Sequence, residues 1–201
     1  MDLQRVYLDS IQSQFHYYKK LAEKAMNQVE PEQLFVQPKE DVNSIGTIVK
    51  HMCGNILSRW TDFLTADGEK DWRDRDAEFE NDWANKEELL ASWDEAWACF
   101  FQAIDSLQPE QLGQVVYIRN EGHTVLEAIN RQLAHYPYHI GQIVYAAKGL
   151  KENEWNSLSV PRNGSKQYNA GKFAKEKAIK HFTDEELKRL DGDGPREGEN
   201  I

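Results

Sequence analysis

The chain has 201 residues, 40% apolar and 29% charged, with a formal net charge of −10. That length suits one domain with its own core, or one domain with an appendage. The acidic balance disfavours nucleic-acid binding. The N-terminus lacks an apolar signal-like run, and no stretch approaches the ~18 apolar residues of a membrane span. A cytoplasmic protein with no nucleic-acid and no membrane partner is expected.

The first helix is predicted over about residues 3–29. Its apolar positions Leu3, Val6, Ile11, Phe15, Tyr18, Leu21, Ala22 and Ala25 recur at three or four, and Pro31 ends it. The second opens at Asn43 or Ser44 and runs to about Thr65, with Ile45, Ile48, Val49, Met52, Ile56, Trp60, Phe63 and Leu64 as its stripe. Asp67-Gly68 breaks it. Residues 67–85 are charged and aromatic without a clear period. They read as a long ordered loop, anchored by Trp72 and Phe79, and loops this long are often functional.

The third helix is predicted over about residues 86–107, with Leu89, Leu90, Trp93, Trp97, Phe100, Phe101 and Ile104 inward and Pro109 beyond it. Residues 115–119 form a short extended piece. The fourth helix starts at Thr124, with Glu127 completing a capping box, and runs to Lys148 with Gly149 as its stop. Pro137 lies inside it and should kink it. The stripe stays in phase across Pro137, so one bent helix is expected. Residues 155–169 read as a loop over the helices, 172–181 and 184–190 as short helices, and 191–201 as disordered.

No internal repeat is evident. Four long amphipathic helices point to an all-α four-helix bundle, with links too long to force a simple up-down order. The domain expectation is a bundle over residues 1–170 and a C-terminal extension over 171–201, a short helix followed by a disordered tail. Cys53 and Cys99 sit in apolar helical patterns and read as small hydrophobes. They provide neither a disulfide framework nor a cysteine-rich zinc site.

The six histidines carry the chemistry. His135 and His139 lie four apart on the fourth helix, one turn from each other, a spacing that lets two imidazoles grip one divalent ion. They fall about 100° from the centre of the apolar stripe, at the border of the buried face. That position suits an open cleft, and equally a partly exposed pair without a role. His51 points roughly opposite the stripe of its own helix, beside Asn55 and Asp62, so periodicity reads it as exposed. His123 reads as a capping or supporting group, and His16 and His181 as ordinary boundary residues.

The segments from His123 to Ala128, from His135 to Ile143 and from Ile45 to Asn55 resemble the DinB/YfiT-like superfamily. The tracts from Ser58 to Phe79 and from Trp155 to Arg162 are similar to an uncharacterised bacterial branch of it. The resemblance covers about residues 1–170. It implies a four-helix bundle, typically up-down-down-up and often dimeric. It also implies a metal held by His51, His135 and His139, and so overrides the periodicity of His51.

Three neutral imidazoles leave an open position, the layout of a catalytic metal site. Zinc and nickel both suit such ligands, and either ion would activate a bound water or thiol. Asn55 and Gln142 are candidate partners that orient the ligands. Arg59, Trp72, Arg73 and Arg162 are candidates for lining the mouth and meeting an anionic substrate. The expected function is a metal-dependent hydrolase or thiol S-transferase acting on a small molecule, such as a low-molecular-weight thiol, as a homodimer. The alternative is a non-catalytic, dimeric, stress-associated bundle that binds a metal or small ligand. No Ser-His-Asp arrangement, phosphate-binding glycine loop or paired-carboxylate motif stands out.

Overall fold

The structure is a computed structural model that describes residues 2–151 and 154–192. It is mostly helical, with six helices and one two-stranded sheet among the described residues. The long helices are α1 (Leu3–Met26), α2 (Ile45–Trp60), α3 (Lys86–Ser106) and α4 (Val125–Lys151). The hairpin β1 (Val115–Ile118) and β2 (Glu121–Thr124) precedes α4, and the short helices α5 (Ser165–Asn169) and α6 (Thr183–Asp191) follow it. None of the described helices is long and apolar enough to cross a membrane.

Local chemistry sets the helix starts. The Ser44 hydroxyl accepts from the Thr47 amide at 3.0 Å, which selects Ser44 over Asn43 as the cap of α2. Asn85 does the same for α3 through Glu88 at 2.9 Å. At α4 the predicted box forms: Glu127 N–H donates to Thr124 Oγ1 at 3.1 Å, and Thr124 N–H donates to Glu127 at 2.8 Å.

The ends differ more from expectation. The second helix stops at Trp60 rather than Thr65, because Thr61 turns extended and Asp62 adopts a positive φ of 49°. Gly149 does not stop α4, which continues to Lys151. As the in-phase stripe predicts, the helix passes through Pro137 as a single element. Residues 172–181 hold only a 3-10 turn at Lys172–Ala174, and α5 lies within the predicted 155–169 loop. The expected disorder of 191–201 falls almost wholly outside the described residues; Asp191 itself ends α6.

A short motif does recur. Pro31-Glu32-Gln33-Leu34 and Pro109-Glu110-Gln111-Leu112 each build a 3-10 turn after a long helix. In both, the glutamine side chain accepts from the backbone amide just before the proline, at 2.9 and 2.8 Å, and the leucine is buried.

The four long helices share one core. α1 lies against α4 and α2 against α3, while α2 also meets α4 and α1 also meets α3. Each contributes an aromatic ring to the centre. Phe15 sits 4.5 Å from Phe100 and 5.9 Å from Tyr136, centroid to centroid, and Trp60 lies 4.8 Å from Phe100. The Trp60 indole donates to the Tyr136 hydroxyl at 2.9 Å, which satisfies two buried polar groups at once. Cys53 is buried and Cys99 half-buried, and both are free thiols.

The 67–85 segment is a strap across α2. Asp67 caps the turn of the hairpin, accepting from the amides of Arg119 and Asn120 at 2.8 Å each. Trp83 donates to the Gly46 carbonyl at 2.9 Å. Of the two expected anchors, Phe79 stays 38% exposed but stacks on His51 of α2, while Trp72 is 59% exposed. Its buried side chains are instead charged, Arg73 and Glu78.

Candidate metal centre

Two elements bring His51, His135 and His139 together. One potential ligand atom from each lies within 4.8 Å of the other two. His135 and His139 lie one turn apart on the same face of α4, and Tyr136, next to His135, drives its ring into the core. That anchors the helix face that carries them. Both are half-buried, at the border where the helix period places them, and their Nε2 atoms lie 3.0 Å apart. Pro137 between them does not turn them away from each other.

His51 is only 6% exposed, contrary to its helical period. The strap explains the difference. It covers the face of α2 that the core does not use, and Phe79 stacks on the His51 ring at 5.1 Å and 26°. Arg75 in turn sits 5.3 Å over the Phe79 ring.

Each imidazole has an oxygen on Nδ1. Gln132 Oε1 lies 3.3 Å from Nδ1 of His135, and Gln142 Oε1 lies 2.8 Å from Nδ1 of His139. For His51 the partner is Glu78 Oε2 at 2.9 Å. An amide oxygen and a carboxylate only accept, so the hydrogen-bond network assigns the proton to Nδ1 in all three rings. Nε2 is then left as a bare lone pair on each. Two such lone pairs facing each other at 3.0 Å repel unless a cation or a proton lies between them. This donor set fits a divalent ion such as zinc or nickel.

Burial reinforces the neutral state. It pushes His135 down to about 4, aided by the charges of His139, His51, Arg59 and Arg131. Burial also lowers His139, against the opposing hydrogen bond to Gln142. Burial alone would raise the Glu78 carboxyl, but hydrogen bonds from His51 and Arg73 outweigh it and hold it below its ordinary value.

The depressed pKa of His135 has a consequence for the metal-free protein. Between pH 6.5 and about 4 the unfolded chain binds this proton and the folded chain does not. The stability it contributes is therefore present above pH 6.5 and lost as pH falls towards 4. Full linkage would be ~3 kcal/mol, and solvent screening of the partly exposed ring reduces it to about 1–2 kcal/mol. Urea midpoints at pH 7 and 4.5 should show this loss, and His135→Gln should lack that part of it. Equal pH slopes in the two proteins would contradict the assignment.

The other predicted site residues divide. Gln142 supports His139. Asn55 accepts from the hydroxyl of the core residue Tyr136 at 3.3 Å, rather than bonding a histidine. Arg59 is buried and donates to the Gly68 carbonyl and, at 2.9 Å, to Glu69. Arg73 makes two bonds to Glu78, at 2.7 and 2.9 Å. Both arginines are thus spent inside the strap rather than lining a mouth. Trp72 and Arg162 are exposed. His123 lies on β2, paired with Val116, away from the triad.

Sequence reasoning missed Gln132 and Glu78. Gln132 could have been found, since it stands three residues before His135 on the same helix face. Nothing in the sequence distinguishes Glu78 from its many acidic neighbours.

The molecule is therefore a mostly helical protein that gathers three histidines from two helices at the edge of its core. The chain matches the family described as "Protein of unknown function (DUF1572)" over residues 2–164, and it belongs to that family. The family lies in the DinB/YfiT-like fold clan. No curated protein and no solved structure matches the chain.

Proposed function

We propose that this protein is a metal-dependent enzyme built on a four-helix bundle of up-down-down-up order, with His51, His135 and His139 holding a divalent ion. The observation that carries the reading is the pairing of all three Nδ1 atoms with oxygens, on three imidazoles whose potential ligand atoms lie within 4.8 Å of one another. Three ligands leave a position free for another molecule. An ion held there would act as a Lewis acid, favouring the nucleophilic form of a water or a thiol near neutral pH. The chemistry is hydrolysis or thiol transfer on a small molecule, a low-molecular-weight thiol among the candidates.

The chain's own residues orient and shield. Gln132, Gln142 and Glu78 fix the ring planes by accepting from Nδ1. Phe79 covers one face of His51 and excludes water from it. Tyr138, 62% exposed and 5.0 Å from the His139 ring, offers an aromatic surface beside the half-buried pair.

Zinc titration of the purified protein against a chelator tests the site. His51→Ala should weaken binding by more than ~100-fold, beyond the usual cost of losing a supporting hydrogen bond. His123→Ala should leave it unchanged. Equal effects would remove His51 from the ligand set. Turnover of thiol, ester and amide substrates by the loaded protein then separates an enzyme from a binder.

A further inference from the structure

We infer that Glu78 is the positioning residue for His51, with Arg73 and Gly54 holding it in place; this rests on the three-histidine reading above. The three ligands are not supported alike. His135 and His139 take their Nδ1 acceptors from their own helix, three residues away in each case. His51 has no such neighbour. Three residues on stands Gly54, which has no side chain, and Asn55 is engaged with Tyr136. Its acceptor comes from the strap, 27 residues along the chain.

That acceptor is also the only carboxylate among the three. A carboxylate forms a stronger, charge-assisted bond to an imidazole N–H than an amide does, and it makes the opposite nitrogen a better electron donor. His51 is the ligand supplied by the second helix, so its aim has to be fixed across elements.

Two further residues match this role. The Arg73 side chain is 2% exposed and grips both carboxylate oxygens of Glu78, while its other edge reaches Glu69. The carboxylate is thereby held in one plane. Gly54 leaves the space that Glu78 fills. A Cβ there would overlap Oε1 of Glu78 and come within 2.7 Å of its Cδ and 3.0 Å of its Cγ. Gly within a helix is less favourable than Ala. The helix itself gives no reason for Gly54, and the carboxylate beside His51 does.

Gly54→Ala is the sharpest test, because it keeps His51 and Glu78 and separates them. Glu78→Ala and Glu78→Gln accompany it, the last retaining an acceptor. Two readouts are needed. Nitrogen-15 NMR of the imidazoles in the metal-free protein should find His51 with its proton on Nδ1. Gly54→Ala and Glu78→Ala should shift it towards the Nε2–H form that free imidazole favours. Zinc affinity should fall ~10–100-fold in both variants and less in Glu78→Gln. Wild-type affinity in Gly54→Ala and Glu78→Ala would overturn the inference, as would an Nε2–H ring in the unsubstituted protein. Failure of the unsubstituted protein to bind zinc would overturn the metal reading instead, while the NMR result would still decide what positions His51.

Discussion

Replacing His135 and His139 together by Ala should abolish metal uptake. Elemental analysis after loading with zinc or nickel and desalting should find about one ion per chain in the unsubstituted protein and none in the double variant. The two side chains supply two of three converging nitrogens, and a lone remaining imidazole does not hold a divalent ion against dilution. The fold should survive. Both residues are half-buried on α4, and Ala favours a helix more than His does. Unchanged circular dichroism would establish that the loss is local. Full metal occupancy in the double variant would end the proposal.

The largest expected effect on stability is at Trp97. Its ring is fully buried and packs within 5.3 to 6.3 Å, centroid to centroid, of Phe15, Trp93, Phe100, Phe101 and Tyr136. Trp97→Ala should cost about 3–5 kcal/mol, the range for deleting a buried large aromatic. Its indole nitrogen is buried without a hydrogen-bond partner, so no polar bond is lost to add to that cost. Trp97→Phe should cost less, since it keeps part of the packing and removes the orphaned N–H. Urea unfolding followed by helical circular dichroism gives both numbers. A loss below about 1 kcal/mol for Trp97→Ala would mean that the core closes over the gap. The effect should also reach the candidate metal centre, because Tyr136 packs on Trp97 and its ring lies 5.6 Å from that of His135.

Features governed by a residue's near neighbours were legible in the sequence. The caps at Ser44 and Thr124, the apolar stripes and the border position of His135 and His139 follow from contacts within a few residues. The burial of His51 was not legible. A helical period reports which face of α2 meets the core, and a strap arriving from Gly68 to Phe79 covers the opposite face. The resemblance to the DinB/YfiT-like superfamily supplied His51 where periodicity placed it in solvent.

In the sequence Arg59 and Arg73 read as mouth residues, because the charge of an arginine is visible there and its partner is not. Glu69 and Glu78 consume both. Gly149 failed as a stop because Leu150, packed against the core, keeps the last turn of α4 in place. The paired Pro-Glu-Gln-Leu turns do not register as a repeat in the sequence, because four residues are too few.

His135 and His139 are four residues apart, but His51 precedes His135 by 84. An ion held by all three would therefore act as a cross-link, stapling two distant points of the chain. An unfolded chain held in that way would lose ~4 kcal/mol of loop entropy by a simple closure estimate. Binding by the α4 pair alone would close almost no loop. The metal would then belong to the folding of this protein as much as to its chemistry, and its removal should be felt as far away as the packing of α2 on α4.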